Sequence, residues 1–336
     1  MKKVVTFGEI LARLSTKQGE RLTQAKQLQL NYGGAEANVA ISLAQFSHET
    51  SFVSKLPDHA LGKGVMHYLK SLNISTAEIQ YGGERLGTYY LEVGAGNRGS
   101  QVVYDRKYSS FSSLTIEELN YDAIFENAYL LHVTGITPAL SANMVEVVEQ
   151  LFSEAKSRGV LISFDFNYRA KLWSQKQAGT VIKRLLPYVD ICSCAELDMI
   201  YLLNYPKLPD ELGYEEKLRQ YYRQLKNDYS NLQWCMSTRR ENSSASQNKL
   251  TGYLYSDEGL YQSEVYHIDH IIDRVGGGDA FVAGILHGLI HQWEPNAIVS
   301  FATAASVLKH TIHGDANLIT EAEVINMLSH GNQISR

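Results

Sequence analysis

The sequence predicts an α/β protein in which helices cover both faces of a mostly parallel sheet. Along the chain, short β-rich runs alternate with amphipathic helical segments, a pattern typical of repeated βαβ units. Two stretches interrupt this alternation, and they predict a small β-rich lid. With 44% hydrophobic and 20% charged residues, the composition is that of a globular chain rather than a disordered one.

The regular elements can be assigned in order along the chain. The predicted strands and helices of the alternation are strands at 4–7, 51–55, 129–135 and 160–167 and helices at 35–46, 61–72 and 141–158. The last helix has clear end signals, because Ser141 can cap its first turn and Gly159 can end it. Each such strand–helix step adds one parallel strand to the sheet.

Residues 12–32 and 86–109 do not fit the alternation. The first stretch is polar, and the second contains two β-rich runs, 88–93 and 101–104, around a glycine-rich turn. A hairpin has no natural place in a parallel sheet, so we predict that the two stretches form one discontinuous lid over its carboxyl edge. Such a lid would exclude water from a reaction beneath it.

Charge and hydropathy exclude several classes of protein. The net charge of −5 comes without a basic tract, which argues against a nucleic-acid partner. No apolar run reaches the roughly 18 residues of a membrane span, and the N-terminus resembles a first strand more than a signal peptide. Cys192, Cys194 and Cys235 are expected to be buried thiols in a reducing compartment, so we expect a cytoplasmic protein.

One glycine motif is misleading. Residues 94–99, GAGNRG, match the dinucleotide-binding pattern G-x-G-x-x-G. That pattern requires a helix directly after it, whereas a predicted strand follows at 101–104. The segment is therefore predicted to be a hairpin turn.

A second glycine motif has the right context for chemistry. Residues 273–281, DRVGGGDAF, place three glycines directly before a predicted helix that runs to about His291. Consecutive glycines let backbone N–H groups converge at the positive end of a helix, which suits the charge on a transferring phosphoryl group. We predict that Gly276, Gly277 and Gly278 form an anion hole.

Asp279 lies at the start of the same helix and has two interpretations. It could be an N-cap carboxylate, which would contribute about 1 kcal/mol. Next to an anion hole, it could instead be the general base that takes a proton from an attacking hydroxyl. We favour the base, and the predicted catalytic residues are Asp279, Gly276, Gly277 and Gly278.

These motifs resemble those of the ribokinase (PfkB) family of sugar kinases. Residues 273–281 are similar to the C-terminal signature of the family, and residues 33–40, GGAEANVA, to its N-terminal motif. The resemblance covers essentially the whole chain. It implies that residues 1–336 form a single ribokinase-like catalytic domain, a three-layer α/β/α sandwich with the lid described above.

Further segments resemble the 2-keto-3-deoxygluconate kinases within that family. These segments are GTYYLE at 87–92, VYDR at 103–106, FDFNYR at 164–169 and KHTIHGD at 309–315. The resemblance implies ATP-dependent phosphorylation of the terminal hydroxyl of 2-dehydro-3-deoxy-D-gluconate, which gives the 6-phosphate.

A keto-deoxy sugar acid needs cations and hydroxyl donors in its pocket. Arginine can offer a planar fork to a carboxylate, a tyrosine on the lid can donate to a sugar oxygen, and a glycine lets the substrate approach the backbone. The predicted substrate-binding residues are Gly34, Tyr90, Tyr104, Arg106, Arg169 and Asp279. Alternatively, Arg106 is a solvated lid charge, Arg169 pairs with Asp165, and the tyrosines are ordinary cross-strand pairs.

The nucleotide is expected beside the glycine loop, as the resemblance implies. The predicted cofactor-binding residues for ATP are Asn167, Ser237, Arg239, Gly276 and Gly278, with Mg²⁺ bridging phosphate oxygens largely through water. The family often carries an Asn-x-x-Glu element, for which this chain has residues 195–198, AELD. A metal role for Glu196 or Asp198 therefore stays open beside the plain alternative of an acidic first helical turn.

Other interpretations remain at this stage. The chain could phosphorylate fructose, another sugar or a nucleoside, or it could be a non-catalytic sugar-acid sensor. Exposed strand edges in the lid predict a homodimer or a dimer-based oligomer that pairs through the lid. Five histidines show no convincing metal-ligand spacing, namely His132, His287, His291, His310 and His313, and His132 is expected to be a satisfied buried imidazole.

Overall fold

Fourteen strands form two sheets in the computed structural model, which describes residues 2–242 and 247–330. The strands are β1 (Lys3–Phe7), β2 (Leu11–Ser15), β3 (Gln29–Gly33), β4 (Thr50–Leu56), β5 (Ile79–Tyr81), β6 (Thr88–Glu92), β7 (Gln101–Asp105), β8 (Ala128–Thr134), β9 (Leu161–Asp165), β10 (Ile191–Ser193), β11 (Trp234–Asn242), β12 (Asn248–Ser256), β13 (Gly259–Gln262) and β14 (Tyr266–Ile268). The larger sheet has the order β13-β12-β11-β10-β9-β8-β1-β4-β5, and β14 also pairs with β12. All neighbouring strands from β11 through β10, β9, β8, β1 and β4 to β5 pair in parallel. Strand β12 pairs antiparallel with β11, β13 and β14.

Helices cover both faces of the large sheet. They are α1 (Ala35–Gln45), α2 (Ala60–Ser71), α3 (Tyr121–Phe125), α4 (Ala142–Ser157), α5 (Gln175–Leu185), α6 (Glu196–Tyr201), α7 (Tyr214–Asp228), α8 (Gly277–Ile290), α9 (Pro295–Lys309) and α10 (Glu321–His330). One buried cluster unites α4, α5 and α7 with one face of the sheet, and another unites α1, α8 and α9 with the opposite face. The molecule therefore has three layers, α/β/α, as predicted.

The smaller sheet has four strands in the order β3-β2-β6-β7. Strand β2 pairs antiparallel with β3 and parallel with β6, and β6 forms a hairpin with β7. Its strands fall within or at the edges of the predicted lid stretches 12–32 and 86–109. The GAGNRG segment is the turn of this hairpin, closed by a bridge between Ala95 and Arg98, which confirms that it is not a nucleotide-binding loop.

The predicted elements of the alternation are all present, with ends that differ by one or two residues. The side chain of Ser141 caps α4 by accepting a hydrogen bond from the backbone N–H of Met144 at 3.2 Å, as its position predicted. The three cysteines are buried free thiols, also as expected. Among the described residues, no helix combines the length and the hydropathy that crossing a membrane requires.

Candidate active site

Two adjoining cavities open at the carboxyl ends of the parallel strands, where α/β sheets usually bind ligands. The lid-side cavity, of about 460 Å³, lies between the small sheet and the first turns of α1 and α8. The helix-side cavity, of about 500 Å³, lies against the ends of β10 and β11 and against α6. Asp165, Asn167, Arg169 and Gly278 line both cavities, so ligands in the two cavities would meet at these residues.

The three consecutive glycines serve different purposes. Gly276 has a φ of 82°, and a Cβ there would lie 1.7 Å from the carbonyl oxygen of Asp315. A Cβ on Gly277 would lie 2.6 Å from the ring of His310, whereas one on Gly278 would meet nothing within 4 Å. Packing therefore requires the first two glycines, and the third leaves the backbone N–H groups at the start of α8 open to the cavities.

Asp279 occupies the first turn of α8 and lines the lid-side cavity. Its Oδ2 accepts a hydrogen bond of 2.7 Å from the side-chain amide of Asn38 in α1. Burial raises the pKa of Asp279 to about 6, and the charge of Asp315 adds to this rise, while Asn38, Arg169 and Lys309 oppose it. A carboxylate with a pKa near neutrality and one oxygen anchored is well suited to accept a proton from a hydroxyl.

A second carboxylate, Asp165, lines both cavities, and the sequence-based prediction did not include it as a site residue. Burial raises its pKa to about 7, and the neighbouring charge of Asp279 contributes to the rise. Its Oδ1 accepts the backbone N–H of Asn167 at 3.2 Å. Its position at the carboxyl end of a buried parallel strand is the sequence signal that could have identified it.

Arg106 lines the lid-side cavity, but it is neither solvated nor unpaired. It is only 7% exposed, its Nε donates to Oε2 of Glu9 at 2.8 Å, and its Nη2 forms a shorter contact with the same oxygen. The alternative of a solvated lid charge is therefore wrong. Glu9 lines the same cavity, so any anion that binds to Arg106 must compete with this carboxylate.

Gly34 also lines the lid-side cavity, although the reason for a glycine differs from the one predicted. A Cβ at this position would lie 2.1 Å from the backbone oxygen of Glu9. The backbone of the chain itself therefore excludes a side chain at Gly34, and the approach of a substrate to this position stays a prediction.

The placement of the lid tyrosines requires another correction. In the small sheet Tyr89 pairs with Tyr104, and Tyr90 pairs with Val103. Because side chains alternate along a strand, Tyr89 and Tyr104 face the lid-side cavity and line it, whereas Tyr90 lies on the opposite face of the small sheet. Tyr89, which the sequence did not single out, thus occupies the place predicted for Tyr90.

Tyr89 belongs to a buried polar network that connects the small sheet to the glycine loop. Its hydroxyl donates to Oδ2 of Asp315 at 2.5 Å. Arg13 of β2 bridges two carboxylates, with 2.7 Å to Asp315 and 2.6 Å to Asp273. Lys309 donates to the backbone oxygen of Asp273 at 3.3 Å. The small sheet is thereby tied to Asp273, which precedes the glycine loop, and to Asp315, whose backbone oxygen lies against Gly276.

Two of the three cofactor candidates outside the glycine loop line the cleft. Asn167, in the left-handed region with a φ of 40°, lines both cavities, and Ser237 lines the helix-side cavity. Arg239 lines neither cavity, because its guanidinium lies 4.6 Å from the ring of Tyr214 and 3.2 Å from a carboxylate oxygen of Glu241. The neighbouring Thr238 lines the cavity instead.

Further arginines line the walls of the lid-side cavity. Arg169 is exposed and forms no ion pair with Asp165 among the described residues; its Nη1 donates to the backbone oxygen of Tyr168 at 3.1 Å. Arg240 and Arg274 also line the cavity. Burial lowers the pKa of Arg240, and the charge of Arg274 lowers it further. An anion bound near these two side chains would relieve their repulsion.

The two acidic residues considered for magnesium are placed differently. Asp198 lines the helix-side cavity, and its Oδ2 accepts the backbone N–H of Ala195 at 2.8 Å at the start of α6. Burial raises its pKa. Glu196 lies 3.9 Å from the ammonium of Lys217 and does not line the cavity. Of these two residues, Asp198 alone lines the cavity.

The sequence profile described as "pfkB family carbohydrate kinase" matches residues 1–322. The chain belongs to this family. A 2-dehydro-3-deoxygalactonokinase of Haloferax volcanii is 32% identical over 333 residues, which cover 98% of this chain and 97% of that protein. A 2-dehydro-3-deoxygluconokinase of Bacillus subtilis is 29% identical over 330 residues, with coverage of 97% and 95%.

Structural similarity agrees with this membership. The crystal structure of 2-dehydro-3-deoxygluconokinase from Thermotoga maritima superposes with a TM-score of 0.94 at 36% identity, covering 98% of this chain and 100% of that one. The PfkB chain described here is therefore a carbohydrate kinase with a ribokinase-like fold, which confirms the predicted fold and enzyme class.

Proposed function

We propose that this PfkB kinase transfers the γ-phosphoryl group of ATP to the terminal hydroxyl of 2-dehydro-3-deoxy-D-gluconate. The observation that carries the proposal is the contact between Asn38 and Asp279 beside the open face of Gly278. It places an anchored carboxylate, with a pKa raised to about 6 by burial, next to free N–H groups at a helix N-terminus. Asp279 would take the hydroxyl proton, and the loop would stabilise the moving phosphoryl group.

The lid-side cavity is the proposed sugar-acid site. Arg169, Arg240 and Arg274 line it, and their positive charge suits a substrate carboxylate. The phenol of Tyr104 and the ion pair between Arg106 and Glu9 can together offer donors and an acceptor to hydroxyl groups. The names of the two relatives, which are both kinases of 2-dehydro-3-deoxy sugar acids, support the same substrate class.

The helix-side cavity is the proposed nucleotide site. Asn167, Ser237 and Thr238 line it, and it meets the sugar site at Gly278. Mg²⁺ prefers oxygen ligands, which the carboxylates of Asp165 and Asp198 provide at this point. When bound, the metal would neutralise phosphate charge, and these two residues would hold it directly or through water.

The substrate is best tested by a coupled ATP-turnover screen of 2-dehydro-3-deoxygluconate, its galactonate epimer, fructose, ribose and adenosine. Turnover should be efficient only with the sugar acids. Arg169→Ala should raise KM for the sugar acids far more than KM for fructose, and Lys176→Ala, on the exposed side of α5, is the matched control. Preference for fructose, or equal effects of Arg169→Ala on both substrates, would favour a fructokinase.

The galactonate epimer is the second candidate substrate. The relative at 32% identity is named for this epimer, and the epimers differ only in the orientation of one hydroxyl. The same screen separates them, because it measures kcat/KM for each epimer with the same enzyme sample.

We also propose that the chain pairs with a second copy through the outer face of the small sheet. Leu30, Leu14, Tyr90 and Val103 are cross-strand neighbours in one row on this face. Leu30 is 46% and Val103 is 52% exposed at the two ends of this row, so the row presents apolar surface to solvent. Light scattering should show a dimer that Val103→Glu dissociates, while Lys176→Glu, on the exposed side of α5 and away from the small sheet, should not. A monomeric wild type would contradict the proposal.

A further inference from the structure

Three histidines meet at the end of the molecule remote from the cleft. His48 follows the C-terminus of α1, His287 lies on the last turn of α8, and His291 is the C-cap residue of α8. Their candidate ligand atoms all lie within 4.8 Å of one another. Helix α8 starts at the glycine loop, and its 14 residues place this cluster about 20 Å from the cleft. Sequence spacing did not reveal this arrangement, because His48 is 239 residues from His287 along the chain.

We propose that His48, His287 and His291 bind one Zn²⁺ ion. Imidazole nitrogen is a preferred zinc ligand, and two histidines four residues apart on a helix face the same side. The side chain of His287 is fully buried, and that of His291 is exposed, so the cluster extends from the interior to solvent. An ion can therefore enter, and a water molecule can occupy the fourth position.

The geometry requires only small shifts of side chains. Three nitrogens around Zn²⁺ at about 2.1 Å would be about 3.4 Å apart. Nε2 of His48 now lies 2.8 Å from Nδ1 of His287, so this pair must separate slightly, and the exposed His291 can move inward. His48 is only half-buried and can change tautomer through solvent to release its lone pair.

Acceptor oxygens lie close to the second ring nitrogens of His287 and His291. A ligating histidine usually donates its second ring N–H to a carboxylate or a backbone carbonyl. Nε2 of His287 lies 3.6 Å from a carboxylate oxygen of Glu321, and it has no hydrogen-bond partner in the described part of the chain. Nδ1 of His291 lies 3.0 Å from the backbone oxygen of His287. These contacts direct Nδ1 of His287 and Nε2 of His291 toward a shared ion.

The interior side of the cluster is apolar. The aromatic rings of Phe46, Trp293 and Phe301 pack around His287 and form an apolar wall on the interior side.

The simpler alternative is an aromatic packing cluster in which His48 only hydrogen-bonds to His287. The two interpretations differ in affinity for Zn²⁺, which competition with a chromophoric chelator measures on the purified full chain. We expect one tightly bound Zn²⁺ per chain and an increase in Tm of several degrees on zinc addition. Co²⁺ should give the visible absorption of a tetrahedral site.

Variants at the accessible positions complete the test. His48→Gln and His291→Gln should each weaken Zn²⁺ binding by at least about 100-fold, and Glu321→Gln by about tenfold. His67→Gln, an exposed histidine on α2, should bind like the wild type. Because zinc could also bind to cleft carboxylates, Asp279→Asn is included and should leave the high-affinity site intact. Absence of tight binding, or wild-type affinity in both histidine variants, would overturn the proposal.

Discussion

The side-chain amide of Asn38 donates a 2.7 Å hydrogen bond to Oδ2 of Asp279. This contact joins the first turn of α1 to the first turn of α8, although the two residues are 241 positions apart. Oδ1 of Asn38 lies 3.4 Å from the backbone nitrogen of Gly34, which orients the amide. The two glycine motifs of the sequence therefore meet at one carboxylate, and Asn38 is a positioning residue for it.

Replacement of Asn38 should shift the pH dependence of the reaction. The hydrogen bond from Asn38 lowers the pKa of Asp279, so Asn38→Ala should raise this pKa and move the acid limb of kcat/KM to higher pH. The measurement is a pH–rate profile of the variant and the wild type. A purely structural role would reduce the rate equally at all pH values, and that result would contradict the prediction.

Removal of the proposed base should affect turnover and not binding. Asp279→Asn keeps the shape and the contact with Asn38 but cannot accept a proton, so kcat should fall about 10²- to 10⁴-fold with little change in KM. The acid limb, which in the wild type should lie near the pKa of about 6, should also disappear. Steady-state kinetics at several pH values measure both effects. Wild-type turnover in this variant would exclude Asp279 as the base.

The same carboxyl should make the folded protein less stable as pH rises from about 4 to about 6. Burial raises its pKa from 3.8 to about 6 in the folded state, so the unfolded chain releases the proton first. The protonated carboxyl stabilises the folded state fully below pH 3.8. This stabilisation, up to ~3 kcal/mol of unfolding free energy, is lost as the pH rises from about 4 to about 6. The free energy of unfolding of Asp279→Asn should therefore exceed that of the wild type by more at pH 7 than at pH 4, as measured by urea unfolding. An equal difference at both pH values would contradict this.

The sequence predicted those parts of the fold and the site that depend on local pattern. Alternating β-rich and helical segments gave the layered sheet, and three glycines before a helix gave the loop and Asp279. Asp165 was missed because one carboxylate at the end of a strand is a weak local signal. The network of Arg13 and Asp315 could not have been predicted, because the two residues are 302 positions apart and no local pattern connects them.

A second class of error came from the choice between neighbours. Tyr89 and Tyr90 are chemically equal, and only the register of β6 against β7 decides which one faces the cavity. A shift of one residue reverses every side chain of a strand. The sequence predicts that side chains alternate between the two faces of β6, but it does not predict which face points to the cavity.

The two tyrosines form a matched pair for testing the lid network. Tyr89→Phe removes the hydroxyl that donates to buried Asp315, which should cost ~1–3 kcal/mol of unfolding free energy because a buried acceptor loses a donor. Tyr90→Phe, on the outer face, should change it by less than about 0.5 kcal/mol. Urea unfolding at neutral pH measures both. A larger loss for Tyr90→Phe would contradict the observed register.

The glycine loop offers a pair of substitutions that separates folding from catalysis. Gly276→Ala forces a side chain into the left-handed region and against the carbonyl oxygen of Asp315, only 1.7 Å from the new Cβ. It should therefore destabilise the fold by at least ~2 kcal/mol. Gly278→Ala meets nothing within 4 Å, so Tm should stay close to that of the wild type.

The methyl group of Gly278→Ala should nevertheless lower kcat, because it projects into the junction of the two cavities. There it would displace the phosphoryl group from the N–H groups of α8, and loss of such a donor costs about 10²- to 10³-fold in turnover. Thermal unfolding and steady-state kinetics on the same samples measure the two properties separately. A Gly278→Ala enzyme with wild-type kcat would show that the phosphoryl group does not pass this point of the loop.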